Sequence, residues 1–159
     1  MTERSVTHAT WTVERTYSAS ATRVFAAFAE KEQKARWFGG EDDASWEQVH
    51  WDLDFRVGGR ERNEGRMKDG SAYTLESVYR DIVPDERIVY SYDMSFGGER
   101  ISVSLSTIQL EPVDAGTRLT YTEQGAYLDG LDTPEQREEG TAQLLDALGA
   151  SLDGAPANA

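Results

Sequence analysis

From Val49 to Glu123 apolar and polar residues alternate with a period of two, and only beyond Thr133 does a helical stretch long enough to cover a sheet begin. That order constrains the fold more than any other feature. Half-apolar segments joined by turns at Gly58-Gly59, Asp69-Gly70, Asp85-Glu86, Gly97-Gly98 and Asp114-Ala115-Gly116 predict an antiparallel sheet with one side to bury. The only cover available is the last helix, whose stripe is Leu144, Leu145, Leu148 and Leu152. Its start is written out, with Thr133 as cap, Pro134 at the first helical position and Gln136 completing a Thr-x-x-Gln box. The expected class is α+β, with a curved antiparallel sheet of about six or seven strands, two short helices after the first strand, and a long C-terminal helix over an internal cavity.

The remaining elements follow from local patterns. Ala9, Trp11, Val13, Arg15 and Tyr17 share one side of a first strand. Ser20 caps a helix carrying Val24, Phe25 and Phe28, and a second short helix is predicted over Glu30–Trp37, stopping at Gly39-Gly40. In the strand after Gly97-Gly98, Ile101, Val103 and Leu105 have the opposite parity to Ile108 and Leu110, so a bulge is expected near Ser106-Thr107. A chain of 159 residues without repeats or linkers reads as a single domain over 1–159, with an ordered core of about 9–153 and frayed ends.

Composition excludes several functions. There is no Cys, which removes disulfides, thiolate nucleophiles and Cys-ligated metals, and His8 and His50 alone build no metal site, so neither metal nor cofactor is expected. The net charge of −13 argues against nucleic acid and anionic membrane. No apolar run suits membrane insertion and Met1–Thr10 lacks a secretory h-region, so a cytoplasmic protein is expected.

Several stretches resemble the activator-of-heat-shock-protein-ATPase-homologue branch of the START/SRPBCC superfamily, a polyketide cyclase-like branch with the helix-grip fold. They are Arg15–Ala19, Val24-Phe25 running to Arg36-Trp37-Phe38, Asp54–Gly59, Ile82–Tyr90, Gly116–Leu119, and Glu139-Gly140 leading into Leu144–Leu148. Members usually carry an aromatic after the Gly of the last helix. Here Gly140 precedes Thr141, which should enlarge or wet the cavity at that end, or hand the space to another aromatic.

Parity places Glu61, Asn63, Gly65 and Met67 on the inward side of one strand, opposite Arg60, Arg62, Glu64 and Arg66. A buried Glu61 needs a partner; exposure, a structural hydrogen bond and a ligand-facing anchor all stay open. Trp11, Trp51, Tyr73, Tyr79, Tyr90, Tyr92 and Tyr121 fall on the concave side, where several phenols would make an amphipathic lining. The candidate cavity residues are Trp37, Trp51, Glu61, Asn63, Met67, Tyr73, Tyr79, Tyr90, Tyr92, Tyr121, Thr141 and Leu145. His50 should point outward. Catalytic motifs are absent, leaving Glu61 and Glu123 as weak candidates for a carboxylate pair with one raised pKa. The expected function is binding of a small lipophilic, oxygenated or aromatic molecule, as carrier or sensor. The alternatives are a polyketide cyclase/aromatase-type enzyme using Tyr, Glu and Asn, and, as the resemblance implies, a regulator of a chaperone ATPase. A homodimer through exposed sheet edges stays open.

Overall fold

The structure, a computed structural model, describes residues 3–38 and 46–153. Seven strands form one antiparallel sheet: β1 (Val6–Tyr17), β2 (Trp46–Leu53), β3 (Arg60–Met67), β4 (Ala72–Val83), β5 (Arg87–Phe96), β6 (Glu99–Val113) and β7 (Gly116–Leu128). Their order is β1-β7-β6-β5-β4-β3-β2. Helices α1 (Ala21–Ala29) and α2 (Lys31–Lys34) follow β1, and α3 (Pro134–Asp153) ends the chain. The helix-grip expectation is met. The stop at Gly39-Gly40 and the frayed tail lie outside the described residues.

Local signals explain the boundaries. The Ser20 hydroxyl accepts from the Arg23 N–H at 3.3 Å, starting α1, and Thr133 Oγ1 accepts from the Gln136 N–H at 3.1 Å, starting α3. Thr133→Ala should therefore cost about 1 kcal/mol in urea denaturation. β1 begins at Val6, ahead of the alternation seen from Ala9, because Val6–Ala9 pair with Leu128–Gly125. The second helix is shorter than Glu30–Trp37: α2 has one regular turn, and residues 35–38 continue as turns.

The main correction concerns β6. The sheet needs a bulge there, but it sits at Ile101, where the pairing Met94↔Ser102 passes to Ser95↔Arg100. From Ser102 to Val113 the register with β7 runs without a break. Ser102, Ser104 and Ser106 therefore point inward with Ile108 and Leu110, and Val103 and Leu105 point outward. Apolar parity misled because the interior at this place is polar. A second irregularity, between Gln48 and His50, leaves Val49 exposed while Trp51 is buried.

The concave face carries Trp11, Val13, Tyr17, Ile88, Ile108, Leu110 and Leu119 against Val24 and Phe28 of α1 and Leu145, Leu148 and Leu152 of α3. The C-terminal half of α3 is fastened to β1 and α1. Tyr17 donates its hydroxyl to the Leu145 carbonyl at 2.7 Å, and Arg23 reaches the Leu152 carbonyl at 2.8 Å. The N-terminal half is tied to the sheet through Arg137, which donates to the Tyr92 and Ser102 hydroxyls, and it roofs open space.

Candidate functional site

Beneath that half of α3 lies a cavity of about 330 Å³. Its apolar wall is Phe28, Trp37, Phe38, Leu75, Met94, Leu144 and Leu145; its polar wall is Lys34, Glu61, Asn63, Ser77, Tyr90, Tyr92, Tyr121, Asp132, Gln136, Arg137 and Thr141. The helix turn over the void is Gly140-Thr141, and a Cβ built on Gly140 meets no atom within 4 Å. The small residues Gly140 and Thr141 leave this end of the cavity unfilled.

Of the residues singled out by sequence, Trp37, Glu61, Asn63, Tyr90, Tyr92, Tyr121, Thr141 and Leu145 line the cavity. Trp51, Met67, Tyr73 and Tyr79 do not. Tyr73 folds over its cross-strand neighbour Gly65, so closely that a Cβ there would lie 2.6 Å from the ring. Tyr79 and Trp51 are buried behind the wall, where they serve Glu61. Met67 is half-buried at the end of β3. Trp37 is both anchor and lining, with its indole N–H bonded to the Ala27 carbonyl at 3.0 Å. His50 points outward, beside Asp52 at 2.7 Å.

Glu61 is only 4 % exposed, which rejects the solvent reading and supplies the partners burial demands. Oε1 accepts from Lys34 Nζ at 2.7 Å and from the Tyr79 hydroxyl at 2.6 Å, and Oε2 accepts from the Trp51 indole at 2.8 Å. Burial opposes its ionisation, but the Lys34 charge and these three hydrogen bonds outweigh burial and hold its pKa below the ordinary value. Lys34, from α2, was not foreseen; its ammonium also sits 4.6 Å from the Phe38 ring centroid.

A second polar cluster surrounds Glu123, which is fully buried. Its carboxylate accepts from Tyr92 at 2.7 Å and from Ser104, Ser106 and Tyr127 at 3.2 Å each. Arg137 of α3 lies 3.6 Å away and pairs with Asp132 at 2.7 Å. The guanidinium also donates to the Tyr92 and Ser102 hydroxyls at 2.8 Å. Burial works against the Arg137 charge, yet Tyr92, Glu123 and Asp132 hold its pKa above the ordinary value. A signal for Arg137 was present: it stands four residues before Thr141 and eight before Leu145, on the inward stripe of α3.

Between the clusters runs a chain of hydroxyls. Tyr121 donates to Ser106 at 3.1 Å and Ser106 to Glu123, so in the 2.7 Å contact between Tyr90 and Tyr121 the donor is Tyr90. Burial comes first among the causes that raise both phenol pKa values, and these groups stay protonated. The expected carboxylate pair is not formed. β3 and β7 are separated by three strands, roughly 19 Å along the sheet at the usual interstrand spacing, and each carboxylate has its own cation.

Among the described residues no group of acidic or His side chains is placed to hold a metal ion, and no helix is long and apolar enough to cross a membrane. Comparison with known proteins fits the geometry. The family model for Activator of Hsp90 ATPase homolog 1-like protein matches residues 18–153. The crystal structure of Mll3558 protein from Rhizobium loti is 48% identical with a TM-score of 0.85, over 92% of this chain and 99% of that one. An uncharacterized protein from Rhizobium leguminosarum is 41% identical with a TM-score of 0.88, over 96% and 99%. An AHSA1-like protein from Aeromonas hydrophila, 20% identical, shares the fold with a TM-score of 0.66 over 91% and 92%. No protein of curated function matches the chain.

Proposed function

The chain belongs to the Activator of Hsp90 ATPase homolog 1-like protein family, and from that premise we propose that it binds a small lipophilic, oxygen-bearing molecule in the cavity under α3. The observation that carries this reading is the void of about 330 Å³ itself, roofed by Gly140-Thr141 and walled by aromatic rings and phenols. Protein interiors are close-packed, and a space of this size with apolar walls and a few convergent polar groups is the usual form of a ligand site.

Filling the space tests the reading. Thr141→Trp places an indole into the void; the variant should keep its melting temperature and lose the stabilisation that aromatic or lipid compounds give the parent protein in a thermal-shift screen. A parent protein that carries no organic molecule in native mass spectrometry and responds to no compound in the screen would remove the proposal.

Binding is favoured over cyclase chemistry because each buried carboxylate already faces a cation. A regulatory role on a chaperone ATPase is the reading the family's name suggests. An ATPase rate unchanged by this protein at low salt would end it.

A further inference from the structure

The two edges of the sheet differ. At β2 the ladder is interrupted between Gln48 and His50, Glu47 and Asp52 bring charge, and Lys31 takes the Trp51 carbonyl. Bulges, charges and covering groups keep a sheet edge from pairing with another chain. β1 has none of these between Val6 and Val13. It pairs with β7 without a break, the run Val-Thr-His-Ala-Thr-Trp-Thr-Val holds no Asp, Glu, Lys, Arg or Pro, and no described residue bonds to its outer backbone edge. The hydrogen bonds from β1 to α3 lie at the far end, at Arg15 and Tyr17, where Arg15 also caps the Glu14 carbonyl at 2.8 Å.

The free backbone groups can be assigned. The Asp129 N–H donates to the Ser5 carbonyl at 2.8 Å, one place beyond the pair Val6↔Leu128. Bonded and unbonded pairs alternate along an antiparallel ladder. Thr7, Ala9, Trp11 and Val13 therefore direct their N–H and C=O groups to β7, and Val6, His8, Thr10 and Thr12 point theirs outward.

A second copy fits this edge because the strand is complementary to itself. Set antiparallel about a two-fold axis at Ala9, Val6 faces Thr12 of the partner subunit and His8 faces Thr10 of the partner subunit. Every outward group then meets another, closing about eight backbone hydrogen bonds. Ala9 has the smallest side chain of the strand, and it sits on the axis, where an unbonded pair brings side chains closest. The same register sets Arg4 opposite Glu14 of the partner subunit and Glu3 opposite Arg15 of the partner subunit, so opposite charges meet at both ends of a neutral centre. Arg4 and Arg15 already touch Asp129 at 2.8 Å and Asp146 at 2.7 Å in their own chain, and a guanidinium has donors left for a second carboxylate. In a chain of net charge −13, charge-balanced surface is where two copies can approach.

We propose that two copies of this chain associate edge to edge through β1, antiparallel about Ala9, joining their seven-stranded sheets into one. The association does not depend on a ligand in the cavity.

Sedimentation equilibrium of the full-length protein at physiological ionic strength, where the screening length is about 8 Å, should show particles of two chains as concentration rises. In amide exchange followed by NMR, Val6, His8, Thr10 and Thr12 should gain protection over the same concentration range, while Thr7, Ala9, Trp11 and Val13 are protected throughout. Thr10→Pro deletes one outward N–H at a place where an edge strand tolerates proline, and should weaken association about tenfold or more with the fold retained. Glu14→Arg should weaken it about tenfold, although it brings the net charge closer to zero, and adding Arg4→Glu should restore it. A single chain at every concentration, association unchanged by Thr10→Pro or by Glu14→Arg, or protection gained without the two-residue period overturns the proposal. Should Thr10→Pro fail to fold, the amide pattern of the parent protein and the charge exchange decide.

Discussion

Arg137→Met should lower folding stability by about 3–5 kcal/mol, the range for removing one partner of a buried ion pair. The substitution keeps the apolar stem and deletes the guanidinium. Glu123 is then left with neutral donors alone in a site closed to water, and Asp132, Tyr92 and Ser102 each lose a hydrogen-bond partner. Urea denaturation should show a lower midpoint with an unchanged slope. The double variant Arg137→Met/Glu123→Gln should recover much of the loss, because it removes the charge that the single variant strands. A single variant as stable as the parent, or a double variant worse than the single, would mean that the pair does not hold α3 to the sheet.

The second large effect is on the other ion pair, and it carries a pH signature. Lys34→Met should cost about 3 kcal/mol at pH 7, again with the apolar stem preserved against Phe38. In the parent protein the Glu61 pKa is depressed, with burial overcome by Lys34 and the hydrogen bonds of Lys34, Tyr79 and Trp51. Its stabilisation is therefore complete above the unfolded value of about 4.3 and is lost as pH falls through the folded value. Without the ammonium, burial dominates and the folded pKa rises, so the variant loses stability as pH climbs above that same unfolded value. The gap between the two proteins should be small near pH 4 and widest at neutrality. Parallel stability–pH curves would show that Lys34 does not set the charge state of Glu61.

The scaffold was legible because its signals are local. The two caps at Ser20 and Thr133, the glycine turns and the alternation of β3 each depend on residues a few positions apart, and the structure uses them where the pattern places them. The demand of Glu61 for a partner was legible too, since burial of a carboxylate permits few outcomes. The identity of that partner was not: Lys34 and Glu61 meet across 27 residues, and nothing in a lysine on a polar helical turn announces burial. Arg137 was hidden by its charge, because a stripe is read from its leucines and the polar residue in phase with them is passed over. The bulge in β6 lies at Ile101 and not near Ser106-Thr107 for the same reason. Hydrophobicity gives this strand the opposite parity, and Ser102, Ser104 and Ser106 point inward because Glu123 and Arg137 bind their hydroxyls.

Strand β6 is in that sense written inside out, and the outer surface bears the result. Val103 and Leu105 stand 42% and 38% exposed on the convex side of the sheet, an oily outcrop created by the hydroxyls lodged within. Two such molecules, each of charge −13, repel one another in dilute buffer. In molar salt, where the screening length shrinks to about 3 Å, that repulsion fades, and stickiness on the outside is the toll for polarity at the centre.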